Sequence, residues 1–133
     1  MITKNESANA NQLSPLNLAF IGDCVYEIMV REMLVNEANR PVNELHKQSV
    51  QMVSAKAQTK AMSLIESSLS ENELAVFKRG RNAKTAHQPK SATVGEYHCA
   101  TGLEALFGYL YLSGQLERAR ELFEIITAER RAQ

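Results

Sequence analysis

Proline and glycine are scarce in this chain, at three and six residues of 133, and no segment recurs at a fixed period. A repeat array is therefore excluded. Short alternating apolar segments bounded by turn pairs are also missing. The apolar residues come instead in long runs of helical period, and at 44% of the chain they suffice for one core. A single all-helical domain over residues 1–133 is expected. The first dozen residues, MITKNESANANQ, contain no apolar stretch of the secretory kind, and residues 1–13 read as a flexible N-terminus. No apolar run approaches the roughly 18–20 residues of a membrane span, so no membrane partner is expected. Only two cysteines occur, Cys24 and Cys99, both inside apolar stretches. They read as two buried free thiols in a reducing cytoplasm. Together with His46, His87 and His98 they show no zinc-like spacing, and no Gly-rich phosphate loop, nucleophilic elbow or Cys–His pair is evident.

Net charge is lacking as well, yet the zero total hides an asymmetry. Residues 1–44 carry three cations against six acids, and residues 96–133 four against six. Residues 45–95 carry eight cations against three acids, an excess of five. Such clustering, more than total charge, marks a polyanion-binding surface.

Helix signals follow in order. Ser14-Pro15 is a capped start for a helix over Leu16–Val35, apolar on nearly every side and so read as central. Residues from about 41 or 43 to Val53 form a second helix, and Ser54 caps a third, Ala55–Ile65. Ser70 and Glu73 make a capping box for a fourth, reaching towards Arg81. Residues 82–95, NAKTAHQPKSATVG, are polar and aperiodic and read as a mobile loop. A second apolar helix spans His98–Leu112 and ends at Gly114. An amphipathic helix from Gln115 to about Arg130 closes the chain.

Two acids stand out. Asp23, the only aspartate, lies within LAFIGDCVYEIMV, and Glu104 is the only charge within ATGLEALFGYLYL. An ionised carboxylate in apolar surroundings is costly without compensation. A salt bridge to a core-facing Arg or Lys is one solution. Neither helix offers a cation near its acid, because Arg31 stands two turns beyond Asp23 and in register with Glu27. A hard divalent cation such as Mg²⁺ is the other solution. Gly22 beside Asp23, with Gly102 and Gly108 around Glu104, suggests close helix approach at these acids, with or without chemistry.

LAFIGDCVYE resembles the signature helix of ribonuclease III domains, and GLEALFGYLYLSG resembles their second acidic helix. LHKQSVQMVSAKAQ and KRGRNAK are similar to segments of the Mini-ribonuclease III branch, whose members are a bare catalytic domain. The resemblance covers roughly residues 14–127, in four segments in the right order. The larger enzymes carry two further carboxylates, at positions held here by Ala19 and Thr101, and the Mini-III branch is likewise reduced to one Asp and one Glu. The resemblance implies a ribonuclease III-like helical bundle that pairs as a homodimer through its signature helices. It implies Asp23 and Glu104 as catalytic, metal-holding residues, with Mg²⁺ as cofactor and Mn²⁺ able to substitute. It implies cleavage of double-stranded RNA to 5′-phosphate products in maturation of precursor 23S ribosomal RNA, with a large-subunit ribosomal protein as a further partner. The rival reading is a non-catalytic domain of the same fold serving as an RNA-binding or ribosome-associated scaffold, which loss of the carboxylates would favour. A metal-free helical dimerisation module is a further alternative, against which the basic clustering speaks.

No separate RNA-binding domain fits in this length. Lys78, Arg79, Arg81, Asn82 and Lys84, with Lys90, form an acid-free basic run suited to phosphates and 2′-hydroxyls of duplex RNA. Lys47, Lys56 and Lys60 form another, read either as RNA-binding or as a solvated face. His46 reads either as a phosphate donor or as a surface or capping histidine. Few aromatics accompany these runs, which speaks against stacking on single-stranded bases.

Overall fold

The computed structural model describes residues 10–84 and 92–133. Helix α1 spans Pro15–Glu37, α2 Val42–Val53, α3 Ala55–Ile65, α4 Glu71–Asn82, α5 Val94–Leu112 and α6 Leu116–Ile126. A 3₁₀ turn, Glu66–Ser68, links α3 to α4, and a last helical turn, Ala128–Arg131, follows α6. All the regular structure among the described residues is helical.

Local chemistry sets the ends. The Ser14 hydroxyl accepts from the Asn17 amide, and Pro15 occupies the first helical position of α1. At the other end the Arg40 guanidinium donates to the Leu34 carbonyl, one of the groups a helix C-terminus leaves unpaired. Both halves of the Ser70–Glu73 capping box form at α4. Gly114 closes the turn after α5 at φ 76°, a left-handed conformation that glycine adopts without steric cost.

Helix α5 is the hub, packing on α1, α3, α4 and α6. Leu103, Leu106, Phe107 and Leu110 of α5 are fully buried, together with Leu18, Tyr26, Val30 and Leu34 of α1. Each such side chain contributes about 1.5–3 kcal/mol by leaving water. Tyr26 meets Phe107 and Phe123 edge-on, with ring centroids 5.1 and 5.7 Å apart.

Five expectations change. Helix α1 is not enclosed on all sides: Leu16, Phe20, Ile28 and Val35 stand exposed, Phe20 by 82%. Among the described residues nothing covers these side chains, so the central place belongs to α5. Helix α5 starts at Val94, four residues before the expected His98, because Thr93 and Glu96 form a second capping box. With α4 reaching Asn82, the expected loop 82–95 shrinks at both ends, and its residues 85–91 lie outside the described residues. The closing helix breaks at Thr127, whose hydroxyl donates to the Phe123 carbonyl. Finally, Ala10 is buried and Leu13 packs on the core, within the stretch 1–13 expected to be free. Residues 1–9 lie outside the described ones.

Candidate active site

Asp23 projects from α1 and Glu104 from α5, at the point where these two helices come closest. Glycine makes the approach possible. A Cβ on Gly22 would run into the carbonyl oxygen of Glu104, and one on Gly108 into the carbonyl oxygen of Leu18. The backbones therefore touch at this crossing, and the close approach brings the two acids beside each other.

The two carboxylates differ in environment. Glu104 is half-buried, as the sequence suggests, whereas Asp23 is exposed on the outer side of α1. The apolar residues around Asp23 in sequence do not enclose it, because Phe20 and Ile28 are exposed too. Burial, and then the Asp23 charge beside it, push the Glu104 carboxyl up from 4.5 to about 8. Without a cation, two adjacent carboxylates resist being ionised together. Among the described residues neither takes part in an ion pair. Arg31 pairs with Glu27 at 2.9 Å, as its register suggests, and leaves Asp23 alone.

A third side chain completes the site, and sequence reasoning missed it. Gln58 lies in the first turns of α3, where the Ser54 hydroxyl caps the helix by accepting from the Ala57 amide. Its side chain is 99% buried, with 1% exposure remaining. The amide lies beside Glu104 and favours the charged carboxylate, yet among the described residues neither its Nε2 nor its Oε1 has a partner at full hydrogen-bond geometry. Leaving a buried amide unpaired costs about 1–3 kcal/mol per group. The signal was present: Gln58, Ala61, Met62 and Ile65 share one buried face of α3, so a polar residue occupies a core register.

The donor set fits a hard divalent ion. It offers adjacent carboxylate oxygens, an orphaned amide, and no thiol or imidazole joining them. Among the described residues no three His, Cys, Asp or Glu side chains gather. Two protein carboxylates suit a cation that keeps most of its water, as Mg²⁺ does. Ala19 and Thr101 are both buried, and the Thr101 hydroxyl donates to the Tyr97 carbonyl, so neither adds a ligand.

The basic residues divide into groups. Lys78, Arg79, Arg81, Asn82 and Lys84 are all exposed along the last turns of α4 and just beyond. Gly80 and Phe77 seat this end of α4 against Thr101, Gly102 and Ala105, which flank Glu104 in α5. Arg81 lies over the Phe77 ring, 5.6 Å from its centroid, and hydrogen-bonds Asn82. The run thus borders the helix segment that carries Glu104. Lys56 and Lys60 are exposed on α3, and Lys60 lines a groove of about 310 Å³ with Tyr26, Glu129 and Arg130. His46 is exposed in another groove, beside Arg31, Val35 and Val42. Those α1 residues stand eight and twelve positions past Asp23, about 12–18 Å along the axis, so His46 is not part of the carboxylate site. Lys90 lies outside the described residues. Cys24 and Cys99 carry free thiols, but neither is fully buried as expected: Cys99 is half-buried, and Cys24 is exposed because it too faces outward from α1.

A model of the ribonuclease III domain family matches residues 16–115. The chain is 50% identical over 113 residues to the Mini-ribonuclease 3 of a Thermoanaerobacter species, covering 85% of this chain and 80% of that one. It is 46% identical over 117 residues to the Mini-ribonuclease 3 of Symbiobacterium thermophilum, covering 88% and 90%. A crystal structure of a protein from Fusobacterium nucleatum superposes with a TM-score of 0.79 at 33% identity, over 86% and 87% of the two chains. The helices, their order, the paired acids and these matches agree: the chain belongs to the Mini-ribonuclease 3 family, endoribonucleases built on the ribonuclease III domain.

Proposed function

We propose that this chain cuts double-stranded RNA in a Mg²⁺-dependent reaction, with Asp23 and Glu104 as the metal-holding catalytic pair. One observation carries the reading: two carboxylates sit side by side, the inner one pushed up to about 8, with no ion pair to offset them among the described residues. Mg²⁺ bound there supplies Lewis acidity toward a phosphodiester and makes water a better nucleophile near neutral pH. The protein's own part is to hold Asp23 and Glu104 side by side at the glycine crossing, where a bound cation would offset their charge. Mn²⁺ meets the same oxygen ligands and substitutes.

Binding falls to the exposed cations. Lys78, Arg79, Arg81 and Lys84, with Asn82, lie against the duplex phosphates, and Lys56 and Lys60 extend the contact. The working unit is a homodimer. Leu16, Phe20, Cys24 and Ile28 recur every four residues along the outer side of α1, where Ile21, Val25, Tyr111 and Leu116 line a groove of about 360 Å³. A second copy seated there would bring two Asp23–Glu104 sites to one duplex. We infer a stem of precursor 23S ribosomal RNA as substrate, a cytoplasmic location, and a large-subunit ribosomal protein as helper; family resemblance alone supports these three. No described helix is long and apolar enough to cross a membrane.

Long duplex RNA incubated with wild type, Asp23→Asn and Glu104→Gln, with and without Mg²⁺, tests the catalytic reading. Wild type should cut only with the metal, leaving 5′-phosphate ends, and both variants should bind duplex but leave it whole. Near-normal cutting by either variant would remove it from the site. Binding without cutting by wild type in Mg²⁺ would favour the scaffold reading.

A further inference from the structure

Gln58 is a buried polar side chain that the fold does not use. Its neighbours on the inner face of α3 are Ala61, Met62 and Ile65, and an apolar residue there would pack without an unpaired group. The Ser54 cap and the core contacts of α3 fix its backbone, so the amide is held in place before any ligand arrives. It faces one functional group, the Glu104 carboxyl, while both its own polar atoms lack partners among the described residues. An amide carries two donor hydrogens on Nε2 and an acceptor on Oε1. An ionised Glu104 can take a hydrogen from Nε2, but a carboxylate has none to give to Oε1. With Glu104 ionised the acceptor finds no donor among the described residues, and water around a divalent cation is such a donor.

We propose that Gln58 is a positioning residue for the cation: its Nε2 donates to the Glu104 carboxylate, and its Oε1 accepts from a water in the ion's hydration shell. This inference rests on the metal-site reading above. It explains why a core position holds an amide, and it gives the site a third protein contact beyond its two carboxylates. Partners behind metal ligands orient them and typically change metal affinity 10–100-fold when removed.

The test measures metal binding without RNA and without turnover. Mn²⁺ is titrated into metal-free wild type, Gln58→Met, Gln58→Leu and Glu104→Gln, and the free ion is followed by electron paramagnetic resonance. Metal-free melting temperatures are recorded alongside. Gln58→Met keeps the volume and shape of the side chain and removes both polar atoms, and Gln58→Leu serves if the first variant fails to fold. The expected result is a Mn²⁺ dissociation constant raised about 10–100-fold, with a metal-free melting temperature equal to or above that of wild type. Glu104→Gln should lose binding altogether. Unchanged Mn²⁺ affinity in the Gln58 variants, with Glu104→Gln still defective, would overturn the role of Gln58 and leave the metal site standing. A lower metal-free melting temperature with unchanged affinity would make Gln58 a structural residue only. Wild type that does not bind Mn²⁺ would overturn the metal site and this inference together.

Discussion

Glu104 carries the clearest pH signature in the protein. Its carboxyl is raised from 4.5 to about 8 by burial and by Asp23, so the folded, metal-free chain holds a proton that the unfolded chain releases. The sign follows directly. Metal-free stability should fall as pH climbs from about 4.5 to about 8, and level off above that. Glu104→Gln should flatten this slope and raise stability at pH 8–9 relative to wild type, as thermal unfolding in chelator would show. A wild-type slope retained by the variant would mean that another group titrates. Much about this residue was legible in the sequence, because a lone acid in an apolar helix is a local pattern. Asp23 was half legible. Its neighbours Phe20 and Ile28 announce an apolar environment, yet in the protomer they point outward with it. Apolar residues alone do not say whether their cover comes from the same chain.

Helix starts were the most readable elements, since a cap is written within four residues. Ser14, Ser54 and the Ser70–Glu73 box all act as their sequence suggests. The Thr93–Glu96 box has the same form and was hidden by Gly95, a poor helix former in the first turn. Gly95 meets nothing, so Gly95→Ala should stabilise α5 by about 0.5–1 kcal/mol, whereas Gly22→Ala faces the Glu104 carbonyl and should lower the melting temperature by roughly 10 °C. Equal effects at the two positions would deny that the α1–α5 crossing depends on a missing Cβ. Another join between elements depends on charge. Arg118 of α6 donates to both Glu73 oxygens at 2.9 Å and to the Ser68 carbonyl at 2.7 Å. Its guanidinium holds the Glu73 carboxyl below the usual carboxylate range. That stability is present above pH 4.5 and lost as pH falls below it. Arg118→Leu leaves the nearly buried Glu73 without its cation, and should cost about 2 kcal/mol at neutral pH while softening the acid limb of the stability profile. Urea titrations at pH 3–7 would show whether that limb moves.

The proposed pairing of two copies is where sequence offers least guidance on geometry, since a helix apolar all round reads the same whether its cover is internal or a partner. Ile28, 61% exposed, offers the test. Ile28→Lys should shift light scattering from a dimer to a single 14.8 kDa chain, while each protomer still binds Mn²⁺ because Asp23 and Glu104 belong to one chain. A variant that stays dimeric would move the interface elsewhere. Replacing Lys78, Arg79 and Arg81 by Ala should weaken duplexes of different sequence alike and flatten the salt dependence by roughly 0.7–0.9 per lost phosphate contact. Identical slopes would make the run a solvated face. The glycine crossing has one more consequence, in time and not in space. Its two strands of backbone come from near opposite ends of the chain, so the contact that creates the carboxylate pair closes one of the longest loops in the fold. Such contacts form only after their closure entropy is met, and they slow folding. Metal affinity should therefore return with the last refolding phase and never ahead of it, and a chain still folding would be no threat to the RNA around it.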